Sequence, residues 1–100
     1  MRTSGSKTAS GVIMAGPGRW FGTVVTPDGS NDVTVTMYDN ASAGSGTKLA
    51  PSMTFAGDGG TQALQPPIEP VDCINGIYVT ATVAGGGTVE FVTYYECGTS

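Results

Sequence analysis

Histidine is absent from this 100-residue chain. That removes Ser–His and Cys–His nucleophilic pairs and imidazole metal sites. Cysteine is scarce: Cys73 and Cys97 alone, with no histidine beside them, cannot complete a four-ligand zinc site. Positive charge is scarce too. Arg2, Lys7, Arg19 and Lys48 stand against eight acidic residues, for a net charge of −4. The four are scattered, whereas nucleic-acid binding needs clustered Lys/Arg and an anionic membrane surface needs a polybasic patch. Neither nucleic acid nor membrane is expected as a partner. No apolar run approaches the roughly 20 residues of a spanning helix. The short apolar stretch inside MRTSGSKTASGVIMAGPG falls short of a signal-peptide core. Synthesis in the cytoplasm without a secretion address is therefore expected. No Walker-type glycine loop ends in Lys-Ser/Thr, and the Gly-rich stretches fall between strands, which argues against a phosphate cradle.

Charged residues make up 12% of the chain, about half the ~25% usual in globular domains. The surface must then be built from Thr, Ser, Gly and Asn. Such a surface can pack flat against a neighbour with little charge to desolvate; it is equally the surface of any Thr-rich β domain. The length is that of one domain. Its core is thin, and 16 glycines raise the entropy lost on folding. Association with other copies or with a docking surface is expected to help.

Residues 1–10 are Ser/Thr/Gly-rich and aperiodic, and are expected to form a flexible arm that orders on docking. Residues 11–100 read as one β domain. Gly11–Ala15 is a short apolar strand stopped by Gly16-Pro17-Gly18, and Arg19–Thr26 is a second. Pro27-Asp28-Gly29-Ser30-Asn31 supplies a turn. Asp32–Tyr38 alternates Val33, Val35 and Met37 with Thr34, Thr36 and Tyr38, the period of a half-buried strand. Asp39–Thr47 is a polar loop of small residues. Lys48–Leu49 and Met53–Ala56 flank Pro51, which marks an edge or a kink. Thr61–Pro70 carries Pro66, Pro67 and Pro70, so it cannot be a central strand. Asn75-Gly76 is a tight-turn dipeptide leading into Ile77–Val83. Gly85-Gly86-Gly87 then reads as the reversal of a hairpin between Ile77–Val83 and Thr88–Glu96. No window has a capped 3.6-residue apolar period, so no substantial helix is expected. The fold class is all-β: a single small β-sandwich, jelly-roll-like, of about eight short antiparallel strands, with an immunoglobulin-like topology as the alternative.

Candidate chemistry is thin. Asp28, Asp32 and Asp39 are expected near one end of the sandwich, and Asp58 and Asp72 near another. A glycan-cleaving pair needs a cleft and one raised pKa, for which so small a sandwich has little room; capped turns are the simpler reading. Asp28-x-Ser30-x-Asp32 loosely matches a calcium loop but lacks the closing glutamate. No catalytic residue, metal or cofactor is expected. Cys73 has apolar neighbours and suits a core, with both cysteines free thiols in a reducing compartment. The adjacent aromatics Trp20-Phe21 and Tyr94-Tyr95 each place one ring outward, as an interface anchor or as cover for a second core layer. The candidate interface residues are Arg2, Lys7, Arg19, Trp20, Tyr38, Tyr78 and Tyr94.

Two segments carry a resemblance. GRWFGTVVTPDGSNDVTVTMYDNASAGSGTKLAP and NGIYVTATVAGGGTVEFVTYY resemble small virion structural proteins of tailed bacteriophages, over about Gly18–Tyr95. The shared features are a strand after Gly-Arg, an alternating V-T-V-x-Y-D-N strand, a loop ending in Gly-Thr-Lys-Leu-x-Pro, and an N-G-I-Y-V strand before a Val/Tyr-rich end. The resemblance implies a capsid decoration (cement) protein on the virion surface, with a β-sandwich fold and homotrimers. Its implied partners are the major capsid protein and itself, and it implies no catalytic residues. The rival reading is a fibre, spike or tail-associated module that binds a host glycan through exposed aromatics such as Trp20 or Tyr94. A small carboxylate hydrolase is a distant third.

Overall fold

A computed structural model of the protein describes residues 2–64 and 70–98. Its strands are β1 (Arg2–Thr3), β2 (Gly11–Ala15), β3 (Gly18–Pro27), β4 (Val33–Tyr38), β5 (Met53–Phe55), β6 (Gln62–Leu64), β7 (Val71–Cys73), β8 (Gly76–Val83) and β9 (Val89–Cys97). They form two antiparallel sheets packed as a sandwich. Sheet A has the order β1-β9-β3-β6, with β7 on β3 beside β6; sheet B has the order β2-β8-β4-β5. The pairing is nested: β1 with β9, β2 with β8, β4 with β5.

Alternation fixes which side chains enter the core. From sheet B, Val33, Val35, Met37, Ile77 and Val79 are all fully buried. From sheet A come Trp20, Val25 and Phe91. Strand β3 keeps both Trp20 and Thr23 inside only because its phase shifts between them. Trp20 pairs with Tyr95 and Gly22 with Tyr94, leaving Phe21 as an extra residue. This bulge moves the inward set from even to odd positions. Thr23 and Thr93 then face each other inside the core, 3.0 Å apart at their hydroxyls, and the Trp20 indole N–H donates to Thr23 Oγ1 at 3.2 Å. A ring that large can be fully buried because its one polar atom has a partner.

The hairpin expected between Ile77–Val83 and Thr88–Glu96 does not form. β8 lies between β2 and β4 in sheet B, and β9 lies between β1 and β3 in sheet A. The three glycines build an arch instead of a reversal. Ala84–Gly86 makes one 3-10 turn, with Gly85 and Gly86 at φ 66° and 73°, and the chain crosses to the other sheet. Each strand is paired elsewhere. β8 pairs with β4 from Val33↔Val83 to Tyr38↔Tyr78, and β9 pairs with β3 along nearly its whole length.

The cysteines sit on either side of one strand. Gly18 is opposite Cys73 in β7 and opposite Cys97 in β9. Two strand spacings separate them, about 9.5 Å, beyond the reach of a disulfide at about 7 Å. Both are free thiols. Burial, reinforced by the Asp39 charge, pushes the Cys73 thiol up to about 11, whereas Cys97 is exposed. A thiol-reactive chromophore is therefore expected to titrate one thiol in the native protein and two in denaturant. Two fast native thiols would contradict the buried position of Cys73.

Candidate interaction surfaces

The aspartates tie loops together at opposite ends of the sandwich. At one end, the Asp28 carboxylate accepts hydrogen bonds from the backbone N–H of Ser30, Asn31 and Thr88 and from the Asn31 amide. It thereby joins the β3–β4 turn to the glycine arch. Asp32 accepts from the Gly57 N–H at 2.9 Å, which brings neighbouring Asp58 to the same end. At the other end, Asp39 accepts from the N–H groups of Ile74, Asn75 and Gly76, and Asp72 pairs with Arg19 at 3.0 Å. The expected grouping of Asp28, Asp32 and Asp39 is thus corrected. Strand β4 runs from Val33 to Tyr38 between Asp32 and Asp39, placing them about 20 Å apart at ~3.3 Å per residue. Asp58 and Asp72 are likewise at opposite ends. The oxygens of Asp28 and Asp32 serve loop N–H groups, the capped-turn reading of these residues.

The Asn31 amide, followed by the N–H groups of Ser30, Asn31 and Thr88, holds the Asp28 carboxyl well below the usual carboxylate range. A depressed folded-state pKa gives stability that is present above the ordinary aspartate value of about 3.9 and lost as pH falls below it. Asp28→Asn is expected to lower Tm at neutral pH, with the gap to the parent closing as pH drops from about 5 to about 2. A gap independent of pH would show that the charge plays no part. The measurement is thermal unfolding across that range.

Charge is segregated between the sheets. The strands of sheet B (GVIMA, VTVTMY, MTF and GIYVTATV) contain no Asp, Glu, Lys or Arg. The strands of sheet A carry Arg2, Arg19, Asp72, Glu90 and Glu96. On the outer side of sheet B, register aligns Thr82, Thr34 and Thr54 in one row, Thr80 with Thr36 in the next, and Tyr78 with Tyr38 beyond them. Thr34 and Thr54 share a hydrogen bond at 2.9 Å, and Thr36 shares one with Ser52 at 2.7 Å. The 39–47 loop folds over the tyrosine end, its Gly44 close to Thr80 and both rings. Among the described residues, three large apolar side chains stand exposed around this sheet: Val12 at 48% in β2, Met53 at 44% in β5, and Ile74 at 76% in the turn before β8.

Of the candidate interface residues, Tyr38 and Tyr78 lie on this face, paired across strands and half-buried. Arg2 and Lys7 are exposed along β9, and Tyr94 is half-buried opposite Thr3. Arg19 is engaged with Asp72, a surface pair of small energetic weight. Trp20 is corrected: it is fully buried, because the Phe21 bulge leaves Phe21 as the outward member of the pair. Val12, Met53 and Ile74 were not among the candidates. The one sequence signal for them was the absence of charge from the strands they flank.

No protein-family model, curated protein or solved structure matches this chain.

Proposed function

We propose that this protein is a bacteriophage capsid decoration protein, which binds the outer capsid surface and stabilises the head by bridging major capsid subunits, without chemistry of its own. The observation that carries the reading is the outer face of sheet B, whose strands carry no charged side chain; Lys48, bridged to Tyr38, lies at its margin with its ammonium donating to Ser52 Oγ at 3.3 Å. The face is a hydroxyl-lined surface with Val12 at one edge and Ile74 at one end. Docking such a face removes apolar area from water and has little charge to strip of its hydration. The aspartate clamps support the same role, since a cement has to be rigid in order to hold its neighbours apart and in register. The virion resemblance of the two sequence segments points the same way. Homotrimers belong to the proposal as the arrangement that resemblance implies.

The burial of Trp20 weakens the glycan-binding alternative, because that ring is closed to a sugar face. The test is twofold. Quantitative mass spectrometry of purified particles is expected to find hundreds of copies, in a simple ratio to the major capsid protein. Thr34→Lys/Thr82→Lys, which places charge on the sheet B face, is expected to keep the fold and lose capsid binding. A handful of copies would move the protein to a fibre, tail or vertex, and none would end the virion reading. Undiminished binding by the double variant would remove this face from the interface.

A further inference from the structure

The N-terminal segment lies along the outer edge of β9, a nine-residue strand. Strand β1 pairs Arg2 with Tyr95 and Thr3 with Tyr94, and an isolated bridge joins Lys7 to Phe91. The contact is made of hydrogen bonds. Ser4 N–H donates to Thr93 O at 2.9 Å, Lys7 N–H to Phe91 O at 2.8 Å, and Phe91 N–H returns to Lys7 O at 2.9 Å. Ser4 Oγ accepts from Thr93 N–H, and Ser6 Oγ donates to Glu90 at 2.7 Å. No side chain of residues 2–7 is buried. The body of the domain begins at Ser10, whose Oγ accepts from Ala81 N–H at 2.9 Å; Thr8 and Ala9 between them are exposed.

We infer that the β9 edge is a strand-acceptor site whose second occupant is residues 2–7 of another copy of this chain. The segment can leave without emptying any core pocket. What it leaves behind is a row of strand N–H and C=O groups, a template for another extended chain. The bonds from Ser4 and Ser6 fit that template to this sequence, so a second copy's segment replaces each bond it displaces. Thr8-Ala9 is the hinge. Within one chain the short tether gives the arm an effective concentration near the millimolar range. Exchange therefore becomes appreciable where copies are crowded. The inference does not depend on where in a virion, or elsewhere, the protein acts.

The test uses disulfide trapping in the full-length chain with Cys97→Ser. Thr3→Cys and Tyr94→Cys are made as two separate single variants, mixed at high concentration and oxidised slowly, so that each exchange event is captured. Thr3→Cys mixed with Thr82→Cys, which lies on the other sheet, measures random collision. The Thr3–Tyr94 heterodimer is expected to exceed this control by about tenfold or more. The double variant Thr3→Cys/Tyr94→Cys, oxidised dilute, is expected to close an internal disulfide. Internal closure together with a heterodimer yield no greater than the control would overturn the inference. Failure of internal closure would overturn it as well, because the register on which it stands would be wrong. Capsid binding enters neither readout.

Discussion

Trp20→Ala is expected to destabilise the domain by about 3–5 kcal/mol, the range for truncating a large buried aromatic. Trp20 is fully buried in the middle of the sandwich. It sits on β3, the strand that pairs with β9 on one side and with β6 and β7 on the other. Its removal deletes a large apolar volume and one hydrogen bond to Thr23. Thr23 keeps its contact with Thr93, so the polar pair survives while the space beside it empties. A small domain has only about 5–15 kcal/mol in total, so the variant is expected to be partly unfolded at physiological temperature. Urea unfolding followed by circular dichroism measures the effect. A loss under about 1 kcal/mol would mean that the ring does not fill the core as described. Phe21→Ala provides the comparison: this neighbour faces outward at the bulge and is only partly buried, so its loss is expected to be smaller.

Gly76→Ala is the second large effect, at about 3–5 kcal/mol, summing backbone strain with overpacking. Gly76 opens β8 at φ 152°, where an L side chain is strained. A β-carbon there would also run into the Met14 carbonyl oxygen and crowd Asn40 and Ala41. Those atoms are backbone and cannot swing away. The same turn is held by the Asp39 carboxylate through three N–H groups, so displacing it breaks bonds on both sides. Gly86→Ala separates the two contributions. Gly86 also has a positive φ, 73°, but nothing lies near its added methyl, so only the conformational cost of about 1–2 kcal/mol is expected. Equal losses at the two positions would show that crowding at Gly76 is unimportant.

Much of the fold was legible locally. The Val33–Tyr38 alternation, the Pro27–Asn31 turn and the proline-bearing 61–70 stretch all describe what neighbouring residues do to one another. The structure places them as a strand in sheet B, a loop closed by Asp28, and an edge strand at Gln62–Leu64. Residues 65–69, with Pro66 and Pro67, lie outside the described residues. The sheet B face was half legible. Its strands could be seen to lack charge, but nothing local said that all four would meet in one sheet.

Sequence alone determined that the chain forms strands, where most of them turn, and that histidine chemistry is excluded. Partner choice was left to the tertiary structure. A period of two reports that one face of a strand is buried; it does not say against which strand. Val89 and Phe91 face the core equally well from a hairpin with β8 or from the opposite sheet. Long pairings of β8 with β4 and β9 with β3, made compatible by the glycine arch, decided for separate sheets. The same global register put Trp20 inside by way of one extra residue, parted Cys73 from Cys97 by the width of β3, and sent Asp32 and Asp39 to opposite ends. Each outcome depends on residues far apart in the chain, whose association is settled only when all strands share one core.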